Sequence, residues 1–196
     1  LADRRVQSWY GLRDRGQAIG GRAGLAVNRI LSESANGGRV VDERATAGED
    51  GWVMDLVSPV AGARGERMIV PSQFRGRVLL GTTRIPDASN PCNPSGSGYY
   101  MAIEPFTGGR LDGSFFDMDG DGTVGNPGDL LDENGAPVPS SGYLVGQGPN
   151  APGFLGDWLG GTAEDGSLTG MITQPIGNRV RRIGWRELRL LDETER

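Results

Sequence analysis

The chain has 196 residues, 34 of them Gly and 12 Pro, with 36% hydrophobic and 7% aromatic side chains. So many helix breakers exclude a helical bundle, while strand-like runs such as Met68-Ile69-Val70 and Val78-Leu79-Leu80 argue against a disordered chain. Twenty basic residues, every one an Arg, against 25 acidic ones leave a net charge of −5, the wrong field for binding nucleic acid.

In chain order, residues 4–13 read as a strand that closes on the Asp14-Arg15-Gly16 turn. Residues 25–31 suit either one helical turn or a strand, and 34–38 a turn. A strand at 51–56 precedes a Gly/Ala loop at 59–65. Two further strands, 66–70 and 77–85, sit at hairpin spacing across 71–76. Residues 86–98 carry no periodic apolar signal and read as a loop. A strand at 99–104, a tight turn at 105–109 and a return strand at 110–116 follow. Residues 117–139 are acidic and rich in turn formers, and 142–166 are Gly/Pro-rich with isolated apolar positions. Strands at 171–175 and 179–189 precede a charged tail.

Short strands joined by hairpins, with no helix of useful length, give an all-β chain of the sandwich, barrel or propeller kind. Met101-Ala102-Ile103-Glu104-Pro105-Phe106-Thr107-Gly108-Gly109-Arg110-Leu111 resembles the blade hairpin of quinoprotein-type propellers, in which Thr-Gly makes the turn. Residues 9–16 are a weaker copy, and the pair favours a propeller.

Several chemistries are absent. Without His there is no Ser-His-Asp or Cys-His pair and no His-ligated metal. The single Cys, Cys92, allows no internal disulfide and no CxxC pair. No run approaches the roughly 18–20 apolar residues of a membrane span. Leu1 in place of Met suggests a processed or excised chain, so missing targeting signals say nothing about compartment.

The sharpest signal is Phe116-Asp117-Met118-Asp119-Gly120-Asp121-Gly122-Thr123-Val124. Carboxylates at positions 1, 3 and 5 followed by Gly at 6 form the first half of an EF-hand-type calcium loop. Alternate residues of a tight turn aim hard oxygens at one point, and three such charges repel unless a divalent cation lies between them. Gly122 permits the bend that presents the Thr123 carbonyl, and Val124 plugs the loop. The second half departs from the pattern, with Gly125 at position 9 and Gly128 at position 12. Asp129 falls one residue late, which suits a loop lengthened around Asn126-Pro127. The ligand set read from the sequence is therefore Asp117, Asp119, Asp121, the Thr123 carbonyl and Asp129, with Asn126 a further candidate. Calcium is the expected ion, held within a loop spanning 117–129. Incomplete ligation points to an affinity on the order of 10⁻⁶–10⁻³ M. The bland alternative is a solvated acidic turn. Pro127, Gly128, Gly135, Pro137 and Pro139 leave no room for a flanking helix, so the loop pins a hairpin end instead of acting as a helix-loop-helix sensor.

Several segments, taken in order, resemble the C-terminal β-propeller of the PilY-type family of type IV pilus assembly and tip-adhesin proteins. They are residues 51–56, 65–67 and 77–86, then Asn90-Pro91-Cys92, 96–101 and Thr107-Gly108-Gly109-Arg110. The calcium loop and Gly184-Trp185-Arg186-Glu187-Leu188 complete the series. The resemblance runs from about residue 4 to 189. It implies a modified propeller with long loops and a structural calcium site between strands, on the bacterial surface or pilus tip, outer-membrane associated after export through the periplasm. It also implies pilins or minor pilins as partners and a role in pilus assembly and extension, attachment and twitching motility. Gly125 stands where the family generally places a further acidic ligand. Residues 1–196 would supply only the C-terminal blades. The remaining blades, and an adhesive part able to meet a host or surface ligand, are expected in a longer parent protein.

The expected function is non-enzymatic. The rival reading is a fragment of a quinoprotein-type dehydrogenase, but there the calcium ligands would be scattered around a central cofactor, whereas here they are contiguous. A dockerin-like module would need two loop-helix repeats. Cys92 reads equally as a free thiol or as one that pairs outside the chain. Trp9, Trp52, Trp158 and Trp185 read as packing residues. Arg179, Arg181 and Arg182 read as a solvated strand face, and Ser95, Ser97, Ser140 and Ser141 as loop residues with no base beside them.

Overall fold

β-branched and aromatic runs separated by Gly and Pro produce many short strands, and the computed structural model, which describes residues 3–44, 46, 48–87 and 95–175, contains fifteen of them. A three-stranded sheet joins β1 (Ser8–Leu12), β5 (Gly51–Asp55) and β2 (Leu25–Asn28), in the order β1-β5-β2. The main sheet has the order β3 (Ile30–Glu33), β4 (Gly38–Val41), β12 (Gly142–Val145), β9 (Ser95–Ile103), β8 (Val78–Asp87) and β6 (Arg67–Met68). Strand β7 (Gln73–Arg75) also pairs with β8. A separate hairpin joins β10 (Leu130–Glu133) and β11 (Ala136–Pro139). The last sheet is β13 (Gly153–Leu155), β14 (Trp158–Thr162) and β15 (Leu168–Ile172).

The all-β class and the strands at 8–12, 51–55 and 78–87 match the sequence reading. Residues 25–31 resolve into β2 and the start of β3. The expected 66–70/77–85 hairpin is rearranged. The tight hairpin is β7-β8, with Arg75 opposite Val78, and β6 pairs with the far end of β8, Arg67 opposite Arg84. The loop expected at 86–98 is shorter, because β8 runs to Asp87 and β9 starts at Ser95. The return strand expected at 110–116 does not form. The 105–109 turn does close, with the Glu104 amide donating to the Gly109 carbonyl at 2.9 Å. The chain then leaves the ladder, and Phe115 and Phe116 bury themselves edge to face at 5.1 Å between centroids. Strands β10 to β14 lie where the sequence shows mainly turn residues. Cys92, Trp185, Arg179, Arg181 and Arg182 and the strand expected at 179–189 fall outside the described residues. No sheet closes on itself among the described residues.

Alternation along the strands sends Trp9, Trp52, Met54, Met101 and Ile103 into one core. Trp9 and Trp52 meet edge to face at 5.4 Å, and the Trp52 indole N–H donates to the Pro105 carbonyl at 2.8 Å. A second core gathers Tyr100, Phe115, Phe116, Leu159 and Met171 between the main sheet and the last one. Trp158, in contrast, is 38% exposed.

The main sheet also buries charge. Arg39 in β4 is fully buried and forks onto Glu66, 1% exposed, at 2.6 and 2.9 Å. Its Nη2 and Nε donate to Glu33 of β3 at 2.5 and 3.1 Å, and its guanidinium carbon lies 3.4 Å from the Tyr99 ring centroid. Ser140 and Ser141 lie in the connection between β11 and β12, as the loop reading expected. Both are buried, and the Ser141 amide donates to the Arg39 carbonyl at 2.7 Å. Burial pushes the Glu33 carboxyl up, but the Ser58 hydroxyl at 2.6 Å, Arg39 and Arg64 more than offset this and hold it below its ordinary 4.5.

Removing one member of a buried pair leaves the other uncompensated, so Glu66→Ala should cost about 3–5 kcal/mol of unfolding free energy in urea melts. Because the Glu33 carboxyl is depressed on folding, its contribution is present above its ordinary value and fades as pH falls below it. Urea midpoints should therefore drop between pH 7 and pH 4 by less in Glu33→Gln than in the parent chain.

Candidate metal centre

The acidic segment leaves the second core at Phe116, which bridges Thr173 beyond the end of β15. The Asp117 amide donates to the Ile172 carbonyl at 3.1 Å, and the Gln174 amide to the Phe115 carbonyl at 2.8 Å. These bonds moor the loop's entry to the last sheet. Its exit is a single 3-10 turn, Pro127–Asp129, which leads directly into β10. Pro at the first position fits such a turn. Asn126 caps it, its side chain accepting from the Gly128 amide at 2.7 Å.

Between these anchors the carboxylates fold inward. Asp117 accepts from the Gly120 amide at 2.7 Å and the Gly122 amide at 2.9 Å. Gly122 has φ 86°, the left-handed bend the sequence pattern requires there. Asp129, fully buried, accepts from the amides of Met118 at 2.7 Å, Gly125 at 2.6 Å and Asn126 at 3.3 Å. Asp117, Asp119 and Asp129 each offer an oxygen within 4.8 Å of the other two. None of the three forms a salt bridge with an Arg among the described residues. At that separation two carboxylates repel by about 3–4 kcal/mol in an effective dielectric of 20. An all-oxygen, triply anionic group is the donor set that a hard divalent cation such as calcium takes.

The other two expected ligands sit differently. Asp121 stands outside this group, its Oδ1 accepting from the Thr123 amide at 2.7 Å and hydroxyl at 2.5 Å, and its Oδ2 from the Asn126 side chain at 2.8 Å. The Thr123 hydroxyl and then its amide hold the Asp121 carboxyl below its ordinary 3.8. Thr123 is thus tied into the loop through donors that brace Asp121. The role of Asn126 as the cap that returns Asp129 to the group is not visible in the spacing alone. Its signal is the Asn-Pro-x-Asp run, a capping-box pattern that ends in Asp.

The loop lines an open cleft of about 440 Å³ together with Tyr143 and Trp158. Among the described residues no helix is long and apolar enough to cross a membrane.

No family model matches the chain. A curated relative, the type IV pilus biogenesis factor PilY1 homolog of Xylella fastidiosa strain Temecula1, is 47% identical over 192 residues, 96% of this chain. In sequence the chain is similar to this PilY1 homolog. It spans 15% of the length of that relative. The crystal structure of the Pseudomonas aeruginosa PilY1 C-terminal domain matches 89% of this chain and 38% of its own, with a TM-score of 0.64 and 22% identity. That likeness is one of the all-β fold alone.

In chelator, Asp129→Ala should destabilise the chain by about 1–3 kcal/mol, because buried amides lose their acceptor. Asp119→Ala, which removes one of three mutually repelling carboxylates, should raise the chemical-denaturation midpoint under the same conditions.

Proposed function

We propose that the chain is a calcium-binding, non-enzymatic part of a type IV pilus biogenesis and tip-adhesin protein. The pilus assignment is drawn from the Xylella relative, whose name describes a type IV pilus biogenesis factor. The observation that carries the calcium reading is the group of Asp117, Asp119 and Asp129 oxygens within 4.8 Å with no Arg partner among the described residues. In this reading Asp117, Asp119 and Asp129 hold the ion, with Asp121 and the Thr123 carbonyl completing the loop's oxygen set. Bound calcium would neutralise the repulsion among the carboxylates and fix the loop between the last sheet and β10. The sheets would belong to a modified propeller completed by the rest of a longer protein. Residues 1–196 would supply its C-terminal blades. The setting is the bacterial surface or pilus tip, with pilins or minor pilins as partners and attachment, pilus extension and twitching motility as the outcomes served.

Calorimetric titration should give calcium binding in the micromolar-to-millimolar range. At a hundredfold excess over Kd the ion should add about 2.7 kcal/mol to the unfolding free energy. Asp119→Ala should abolish the heat. Equal heats for the parent and the variant would remove the metal assignment.

A further inference from the structure

Trp158 begins β14 and shares its face of the last sheet with Gly160 and, across the ladder, Gly170. Its six-membered ring lies over both glycines, so that a Cβ at either position would enter the ring. One face of the indole is therefore laid flat on backbone. The residue nevertheless remains 38% exposed, although the sheet's other face builds the second core through Leu159 and Met171. A tryptophan placed for packing alone would be turned to that core. The ring instead lines the open cleft beside the acidic loop, together with Asp117, Asp119 and Tyr143. The Trp158 indole N–H and the Tyr143 hydroxyl make no hydrogen bond with any described residue. The volume, about 440 Å³, lies in the range of small-molecule sites.

Three kinds of ligand stack on a flat indole. A nucleic-acid base brings phosphates, which the carboxylate wall repels. An organic cation is held best when several aromatic faces enclose it, and here a single indole lies flat with one open side. A neutral sugar ring meets every feature present. Its axial C–H groups carry partial positive charge toward the negative face of the indole, and its hydroxyls are donors for Asp117 and Asp119 and acceptors for the Tyr143 hydroxyl and the indole N–H. The geometry points to a binding site for a neutral pyranose, with Trp158 as the stacking floor and the Asp117–Asp119 wall and Tyr143 as its hydrogen-bonding rim. This goes beyond the calcium reading but shares Asp117 and Asp119 with it, so the test varies Trp158, the stacking floor, which is no proposed metal ligand.

The test is saturation-transfer NMR and tryptophan fluorescence on the chain in excess calcium. The probes are methyl α-mannoside, cellobiose and N,N′-diacetylchitobiose, with N-acetylneuraminic acid and choline as charged controls. At least one neutral probe should bind saturably, while the charged controls give no response. Trp158→Ala should weaken that binding by about tenfold or more. Trp158→Phe, which keeps an aromatic face, should recover most of it. Trp158→Ala uncovers Gly160 and Gly170 and should melt below the parent, so circular dichroism sets a temperature at which both variants are fully folded and binding is compared there. The proposal is overturned if no neutral probe binds, if Trp158→Ala binds as well as the parent, or if choline binds in a Trp158-dependent way. Calcium calorimetry is read separately, so the failure of one reading leaves the other standing.

Discussion

The buried guanidinium of Arg39 organises the main sheet. A charge removed from water is tolerable only when its donors are met, and here they are met by Glu66 and Glu33, with the Tyr99 ring stacked against it. These partners come from β3, from β9 and from the residue just before β6, so one side chain fixes how widely separated stretches of sequence assemble. Apolar packing alone would accept several registers of these Gly-rich strands. A forked ion pair with one geometry accepts one. The backbone of Arg39 is bound in turn, its carbonyl taking the Ser141 amide just before β12, which seats β12 between β4 and β9.

That seating reaches the acidic loop. The β10-β11 hairpin packs Leu131 and Val138 onto Val40, the neighbour of Arg39, and Glu133 takes the Ser32 hydroxyl of β3. The loop is thus suspended between two ordered bodies, the last sheet through Phe116 and the main sheet through the hairpin. The carboxylates need not fold one another into place, because each end of the segment is already positioned.

How much of this is legible in the sequence follows from which residues carry the information. The Val78–Asp87 and Gly51–Asp55 strands announce themselves because β-branched and aromatic residues sit between turn formers. β11 does not, since Pro137 and Pro139 argue against a strand. They are tolerated in a two-stranded hairpin, where the missing N–H groups need no second partner. β13 to β15 are obscured by Gly153, Gly160 and Gly170, which lie in one row across the sheet and have no side chain to signal a buried face. In the acidic loop, the spacing identifies Asp117, Asp119 and Asp129. It does not reveal that the Asp121 carboxylate bonds to Thr123 and Asn126, because that choice depends on hydrogens supplied by the folded turn. Nor does any local pattern separate Trp158 from Trp9 and Trp52. Their difference lies in which sheet face each occupies.

The mooring of the loop has a mechanical consequence. Asp129 and Leu130 are joined by one peptide bond, the first inside the carboxylate group and the second starting β10. A pull that overcomes the ladder between β10 and β11 therefore reaches the loop in series. The stiffness of that short connection sets how far tension on the hairpin can travel before the carboxylates are drawn apart.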